Sequence, residues 1–171
     1  MFPPRHREKA GKIEWPVRAI RAWHQVIDAL LEGGLVAMLG NRGTGKTQMA
    51  TDIASSLVHH HGHSAMYWRV ADLISDFRTK VYVPGQSEHT ELRRLSRIGL
   101  LVIDEMQERR DTTDEDRIIT RLLDHRYGEA KATLLISNQS PNAMAEALGP
   151  SVTDRLRETG VIVECNWESF R

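Results

Sequence analysis

The sequence is poor in cysteine, in net charge and in long apolar runs, and each shortage closes off a class of protein. Its 171 residues include one cysteine, Cys165, so no internal disulfide can form. The position of that thiol in Val161-Ile162-Val163-Glu164-Cys165 reads as a core position. Lysine and arginine total 23, as do aspartate and glutamate, leaving a formal net charge of zero. That balance gives no basis for a generally nucleic-acid-binding surface, so any such site has to be local. No stretch approaches the roughly 18 apolar residues that cross a bilayer, and Met1-Phe2-Pro3-Pro4-Arg5-His6-Arg7 lacks the apolar segment of a secretory signal. A cytoplasmic location with no membrane partner is expected. What remains, 40% hydrophobic and 27% charged, is the composition of a soluble globular chain of one domain.

Hydrophobic periodicity then gives the order of elements. Residues 1–12 carry prolines and Arg5, Arg7, Lys9 and Lys12 with few apolar side chains, and are expected to be a flexible basic arm ahead of a domain over 13–171. Trp15-Pro16 suits a helix start, and Ile20, Trp23, Ile27 and Leu30 or Leu31 recur at helical spacing until Gly33-Gly34. Strands are expected at 35–39, 65–70, 99–105, 132–137 and 161–165, alternating with helices that begin near Thr47, run over 70–81, occupy part of 86–97, centre on Ile118–Leu123 and fall within 142–158. Five strands alternating with helices predict a three-layer α/β fold around a parallel sheet.

Between the first strand and the first long helix lies Gly40-Asn41-Arg42-Gly43-Thr44-Gly45-Lys46-Thr47, which fits the phosphate-loop pattern G-x-x-x-x-G-K-[ST] at every fixed position. Glycines let the backbone N–H groups approach phosphates closely, and the helix beginning there points its positive end at the anion. Residues 40–48, through Gln48 in the first helical turn, are therefore candidates for holding ATP. Lys46 would meet the β- and γ-phosphates, and Thr47 would ligate Mg²⁺.

Polar residues gather at the carboxyl ends of the strands, where a parallel sheet collects its ligands. Leu100-Leu101-Val102-Ile103-Asp104-Glu105 is an apolar run ending in two carboxylates, the Walker B pattern. Adjacent carboxylates there would repel without a cation, so Asp104 is a candidate Mg²⁺ ligand and Glu105 a candidate for orienting or activating water. Asn138 closes Leu134-Leu135-Ile136-Ser137-Asn138 one strand over, and its amide suits both a γ-phosphate oxygen and the attacking water.

These elements in this order resemble the AAA+ division of P-loop ATPases. Within it the chain is similar to DnaC-type helicase loaders and IstB-type transposition helper ATPases. The likeness is carried by Gly43–Thr47, Val102–Glu105, Ile136–Asn138, Leu148-Gly149-Pro150-Ser151-Val152-Thr153-Asp154-Arg155-Leu156 and the ending Asn166-Trp167-Glu168-Ser169-Phe170-Arg171. The resemblance implies that Asn138 is sensor 1, that Arg155 is an arginine finger reaching ATP in a neighbouring subunit, and that Arg171 is sensor 2, with Arg157 as the alternative finger. It implies ATP hydrolysis with Mg²⁺, a homo-oligomer or filament, DNA taken as a single strand, and a replicative helicase or a transposase as partner. With the sequence ending at Arg171, the helical lid of larger AAA+ proteins is expected to be absent or minimal. A nucleotide-switched binding module with negligible turnover is a further alternative.

Other features read more plainly. His59, His60, His61 and His63 fall at the carboxyl end of the phosphate-loop helix, where imidazoles suit the dipole better than they suit one metal. Trp15, Trp23 and Trp68 read as packing residues, and Arg109-Arg110 as a surface charge pair.

Overall fold

Three strands, β1 (Leu35–Leu39), β3 (Leu100–Asp104) and β4 (Thr133–Ser137), are buried at every residue, as strands covered on both faces must be. In the computed structural model, which describes residues 1–110, 112–158 and 160–168, they form the centre of a five-stranded sheet completed by β2 (Ala65–Arg69) and β5 (Val161–Glu164), in the order β2-β3-β4-β1-β5. The flanking strands β2 and β5 are partly exposed, as edges are. All four pairings are parallel. The expected α/β fold with a five-stranded parallel sheet is therefore the one observed.

Alternation along each strand divides the core in two. Leu35, Ala37, Leu39, Leu101 and Ile103 face one cluster, built on α4 (Val70–Val81), α5 (Glu88–Ser96), α6 (Thr113–Gly128) and α7 (Pro141–Glu158). Val36, Met38, Leu100 and Val102 face the other, built on α2 (Val17–Leu31) and α3 (Lys46–His61). The period of two thus gives the two helical layers on either side of the sheet. A short helix α1 (Pro4–Arg7) lies against α3. After β5 the described chain contains no further helix.

Three local outcomes differ from the sequence pattern. The buried face of α2 is Ala19, Ala22, Val26, Ile27 and Leu30, while Ile20 is 44% exposed. Small alanines let the helix approach the sheet closely, and the bulkier Trp23 packs at the margin. α7 is broken at Gly149, whose φ of 76° and ψ of 170° leave the helical region just before Pro150, so the Gly-Pro pair stops one helix and starts the next. Arg109 is not a surface charge. It is buried, donating through Nη2 to the Ala147 carbonyl and pairing with Asp116 at 3.4 Å, which ties the 3₁₀ turn Met106–Glu108 after β3 to α7.

Arg126 is fully buried. Its guanidinium donates to Thr133 Oγ1 at 2.8 Å and to the carbonyls of Leu95 at 2.6 Å, Ile98 at 3.0 Å, Gly99 at 3.4 Å and Ala132 at 2.5 Å. Burial lowers its pKa to about 10, so it stays charged at neutral pH. It fixes α6 to the end of α5 and to the starts of β3 and β4.

Candidate functional site

Because the strands are parallel and in register, Leu39 lies beside Ser137 and Glu164, and Asp104 beside Arg69. The ends of all five strands therefore share one edge. The segment from Gly40 to Gly45 leaves β1 at that edge and enters α3 through Gly45, whose φ of 82° is left-handed. Gly40 also has a positive φ, 133°, and a Cβ there would stand 2.8 Å from the Cys165 carbonyl. The loop can pass this close to the chain leaving β5 only because residue 40 is glycine. Cys165 itself is buried and its N–H donates to the Leu39 carbonyl at 2.7 Å. Burial pushes its thiol up to about 12, so it stays neutral, as a core residue does.

Lys46 is buried, and its ammonium donates to the carbonyls of Gly40 at 2.6 Å and Asn41 at 2.8 Å. Burial lowers its pKa, with Cys165 and Asp104 opposing the shift. Carbonyl dipoles alone compensate a buried cation poorly, so the arrangement suits an anion arriving beside it. The first N–H groups of α3, on Lys46, Thr47 and Gln48, precede the first carbonyl that could accept them within the helix. They are donors at the positive end of the dipole.

Thr47 and Asp104 are 57 residues apart in the chain, yet the Thr47 hydroxyl donates to Asp104 Oδ2 at 2.7 Å. The same oxygen accepts the Tyr67 hydroxyl at 2.8 Å, and Oδ1 accepts the Glu105 N–H at 2.7 Å. A hydroxyl and a carboxylate sharing one point are hard oxygen donors of the kind Mg²⁺ takes when phosphates and water complete its shell. Glu105 has φ 58°, a left-handed conformation costing a non-glycine residue on the order of 1–3 kcal/mol. Its carboxylate meets Arg69 Nε at 3.2 Å. Burial raises the Glu105 pKa, Arg69 opposes, and Glu108 and Asp104 add to the rise.

Asn138 is half-buried at the end of β4, with its N–H on Gln107 Oε1 at 3.1 Å. Gln107 also accepts the Ser137 hydroxyl at 3.2 Å, while its own amide nitrogen is buried without a hydrogen-bond partner. That orphaned donor beside Asn138 fits an acceptor such as a phosphate oxygen or a water. The structure thus brings together Gly40–Gln48, Asp104, Glu105 and Asn138.

A family model described as IstB-like ATP binding protein matches residues 26–171. The chain belongs to this IstB-like family. It is 34% identical over 133 residues to the replicative helicase loader DnaC of Escherichia coli strain K12, a match covering 77% of this chain and 54% of that protein. The chain therefore spans about half the length of the curated relatives it matches. Among solved structures, a crystal structure of the DnaC helicase loader matches with a TM-score of 0.80 at 19% identity, over 95% of this chain and 99% of that one. The replication initiator DnaA bound to AMPPCP and single-stranded DNA matches with a TM-score of 0.78 at 17% identity, over 98% and 52%. The fold of this IstB-like chain is accordingly that of the AAA+ replication proteins, and no helix among its described residues is long and apolar enough to cross a membrane.

Other sequence-derived residues are placed elsewhere. Arg155 lies near the end of α7, just before β5 begins at the opposite edge of the sheet. There it pairs with Asp124 and stands over the Tyr127 ring, 5.2 Å from its centre. Arg157 is largely exposed, 3.8 Å from Asp154. Arg171 lies outside the described residues. His59 turns back along its own helix, its Nδ1 2.7 Å from the Ser55 carbonyl.

Contacts absent from the sequence reading include Tyr67, Arg69, Gln107 and Trp167, whose indole N–H donates to the Thr44 carbonyl inside the loop at 2.7 Å. Gln48, a candidate from the first helical turn, is buried with its side chain bonded to His6 and Asp52, each at 3.0 Å or less. Residues 1–12, expected to be a flexible arm, make defined contacts: these bonds to His6, one from Gly11 N–H to Asp52 at 3.3 Å, and a ring contact between Phe2 and Tyr67. A period-2 reading of β2 would have put Tyr67 and Arg69 on one face, but only pairing with β3 shows what that face meets.

Proposed function

We propose that the chain is an AAA+ ATPase that binds ATP with Mg²⁺ and couples its hydrolysis to the loading of a replicative helicase on DNA. The observation that carries this reading is the 2.7 Å contact between Thr47 and Asp104, with the Lys46 ammonium at the same loop. It unites the three donors that a triphosphate with its metal requires. Bound with ATP, Mg²⁺ would neutralise charge across the β- and γ-phosphates, held by the Thr47 hydroxyl and Asp104. Lys46 and the N–H groups of residues 43–48 bind the phosphates. Glu105 takes the proton of the attacking water, and Asn138 orients that water against the γ-phosphate. Arg155, on the far edge, completes the site of a neighbouring copy in a homo-oligomer or filament. DNA in single-stranded form and the helicase partner are supported by the likeness to the DnaC loader and to a DnaA that binds single-stranded DNA.

The family model favours one second reading, an IstB-like transposition helper that assembles on DNA and contacts a transposase. Lys46→Ala tests the common core. Losing its charge-assisted bonds should weaken ATP binding by roughly one to two orders of magnitude, measured by calorimetry, and unchanged affinity would overturn the site. DNA-stimulated hydrolysis then separates the two readings. Stimulation by single-stranded DNA and recovery of a helicase from host lysate support loading, whereas ATP-dependent filaments on duplex DNA support the transposition role.

A further inference from the structure

Asp104 is held from two sides by hydroxyls, and one of them does not belong to the nucleotide loop. Thr47 Oγ1 and Tyr67 OH both donate to Oδ2, at 2.7 and 2.8 Å. A cation at this point would take the Thr47 oxygen as a ligand, leaving the Tyr67 hydroxyl and the Glu105 N–H on Oδ1 to fix the carboxylate's rotation. Tyr67 suits that task. Its ring is buried in the α2–α3 cluster, and its hydroxyl reaches the carboxylate across the β2–β3 pairing. Its other face is closed by Phe2, with ring centres 5.3 Å apart and planes inclined at 43°. The segment carrying Phe2 is fastened to α3 next to Thr47 by His6 on Gln48, at 2.8 and 3.0 Å, and by Gly11 and Trp15 on Asp52, at 3.3 and 3.0 Å.

We infer that Tyr67 is a positioning residue for Asp104, and that Phe2 seats Tyr67, so that the N-terminal segment sets the metal-dependent part of nucleotide binding. This rests on the reading of Thr47 and Asp104 as an ATP–Mg²⁺ site. The phosphate contacts themselves, made by Lys46 and the loop, do not pass through Tyr67. Its removal therefore acts on the response to metal and leaves metal-free affinity in place. Anything that displaces residues 2–11 from α3 acts in the same direction.

The test is calorimetric titration of the full chain with a non-hydrolysable ATP analogue, with and without MgCl₂. Tyr67→Phe keeps the ring and deletes one charge-assisted bond, and should reduce the Mg²⁺-induced tightening by roughly tenfold, with metal-free affinity unchanged. Phe2→Ala should shift the same quantity by a few-fold, since it removes only packing against Tyr67. Should Tyr67→Phe fail to fold, Phe2→Ala carries the test. An unaltered Mg²⁺ response in the folded variants, or equal weakening with and without metal, overturns the inference while leaving the ATP–Mg²⁺ reading intact. A wild-type protein whose analogue binding ignores Mg²⁺ overturns both.

Discussion

At the scale of single residues, Glu105 concentrates the chemistry. It occupies a left-handed backbone position, borders Asp104, and meets Arg69 at 3.2 Å. Burial is the largest influence on its carboxyl and raises its pKa above 4.5. The folded protein thus holds this proton more tightly than the unfolded chain. Between 4.5 and the raised value, ν_N exceeds ν_U, so the contribution of Glu105 to stability falls as pH rises through that window. In its proposed role as proton acceptor Glu105 must be ionised, so the same shift places the acid limb of hydrolysis higher than an unperturbed carboxyl would. Glu105→Gln is expected to lower turnover by about two to four orders of magnitude while sparing ATP binding, and to remove this titration from the pH dependence of urea unfolding. An unaltered rate would show that another group activates the water.

At the scale of elements, what distinguishes this loop is how it is braced. The stretch after β5 runs back along the loop, with Cys165 N–H on the Leu39 carbonyl and the Trp167 indole on the Thr44 carbonyl, 123 residues distant in sequence. A phosphate loop must hold its N–H groups inward before the anion arrives, and a bond to the outer side of one peptide helps fix that orientation. Trp167→Phe retains an aromatic ring and deletes one bond worth about 1 kcal/mol. It should weaken ATP binding by about fivefold with little change in melting temperature, read by calorimetry and thermal denaturation. Full affinity would mean that the tail only packs against the loop.

At the scale of the whole molecule, the two charged centres lie at opposite edges of the sheet. Lys46, Asp104 and Glu105 are at the carboxyl edge, and Arg155 is held by Asp124 and Tyr127 near the other. Within one chain these cannot form a single site, so a catalytic Arg155 has to work between copies and exchange Asp124 for a phosphate. Arginines supplied in this way have effects of about 10³–10⁵ in other systems. Arg155→Ala is expected to bind ATP normally and hydrolyse it slowly. Mixed with Lys46→Ala it should regain part of the activity, since some interfaces then pair an intact loop with an intact arginine. No recovery in mixtures that still assemble, seen by light scattering, would rule out a shared site.

Much of the fold and half of the site were legible in the sequence because they rest on local rules. Gly40–Thr47 needs only its glycines, lysine and hydroxyl at fixed spacing, and the buried strands announce themselves as short apolar runs ending in Asp104 or Asn138. Such features depend on backbone freedom and period, which neighbours in the chain determine. The bracing contacts depend instead on which strand lies beside which. Tyr67 meets Asp104 because β2 pairs with β3, Arg69 meets Glu105 for the same reason, and Trp167 reaches Thr44 because β5 lies beside β1. The burial of Arg109 and the docking of residues 1–12 likewise come from surfaces that exist only once the layers have packed. The sequence by itself determined that a phosphate loop and two carboxylates would stand at one edge of a parallel sheet; only the tertiary structure decided what holds them there, because non-neighbouring strands, residues 2–11 and Trp167 are brought to that edge through folding and not through spacing.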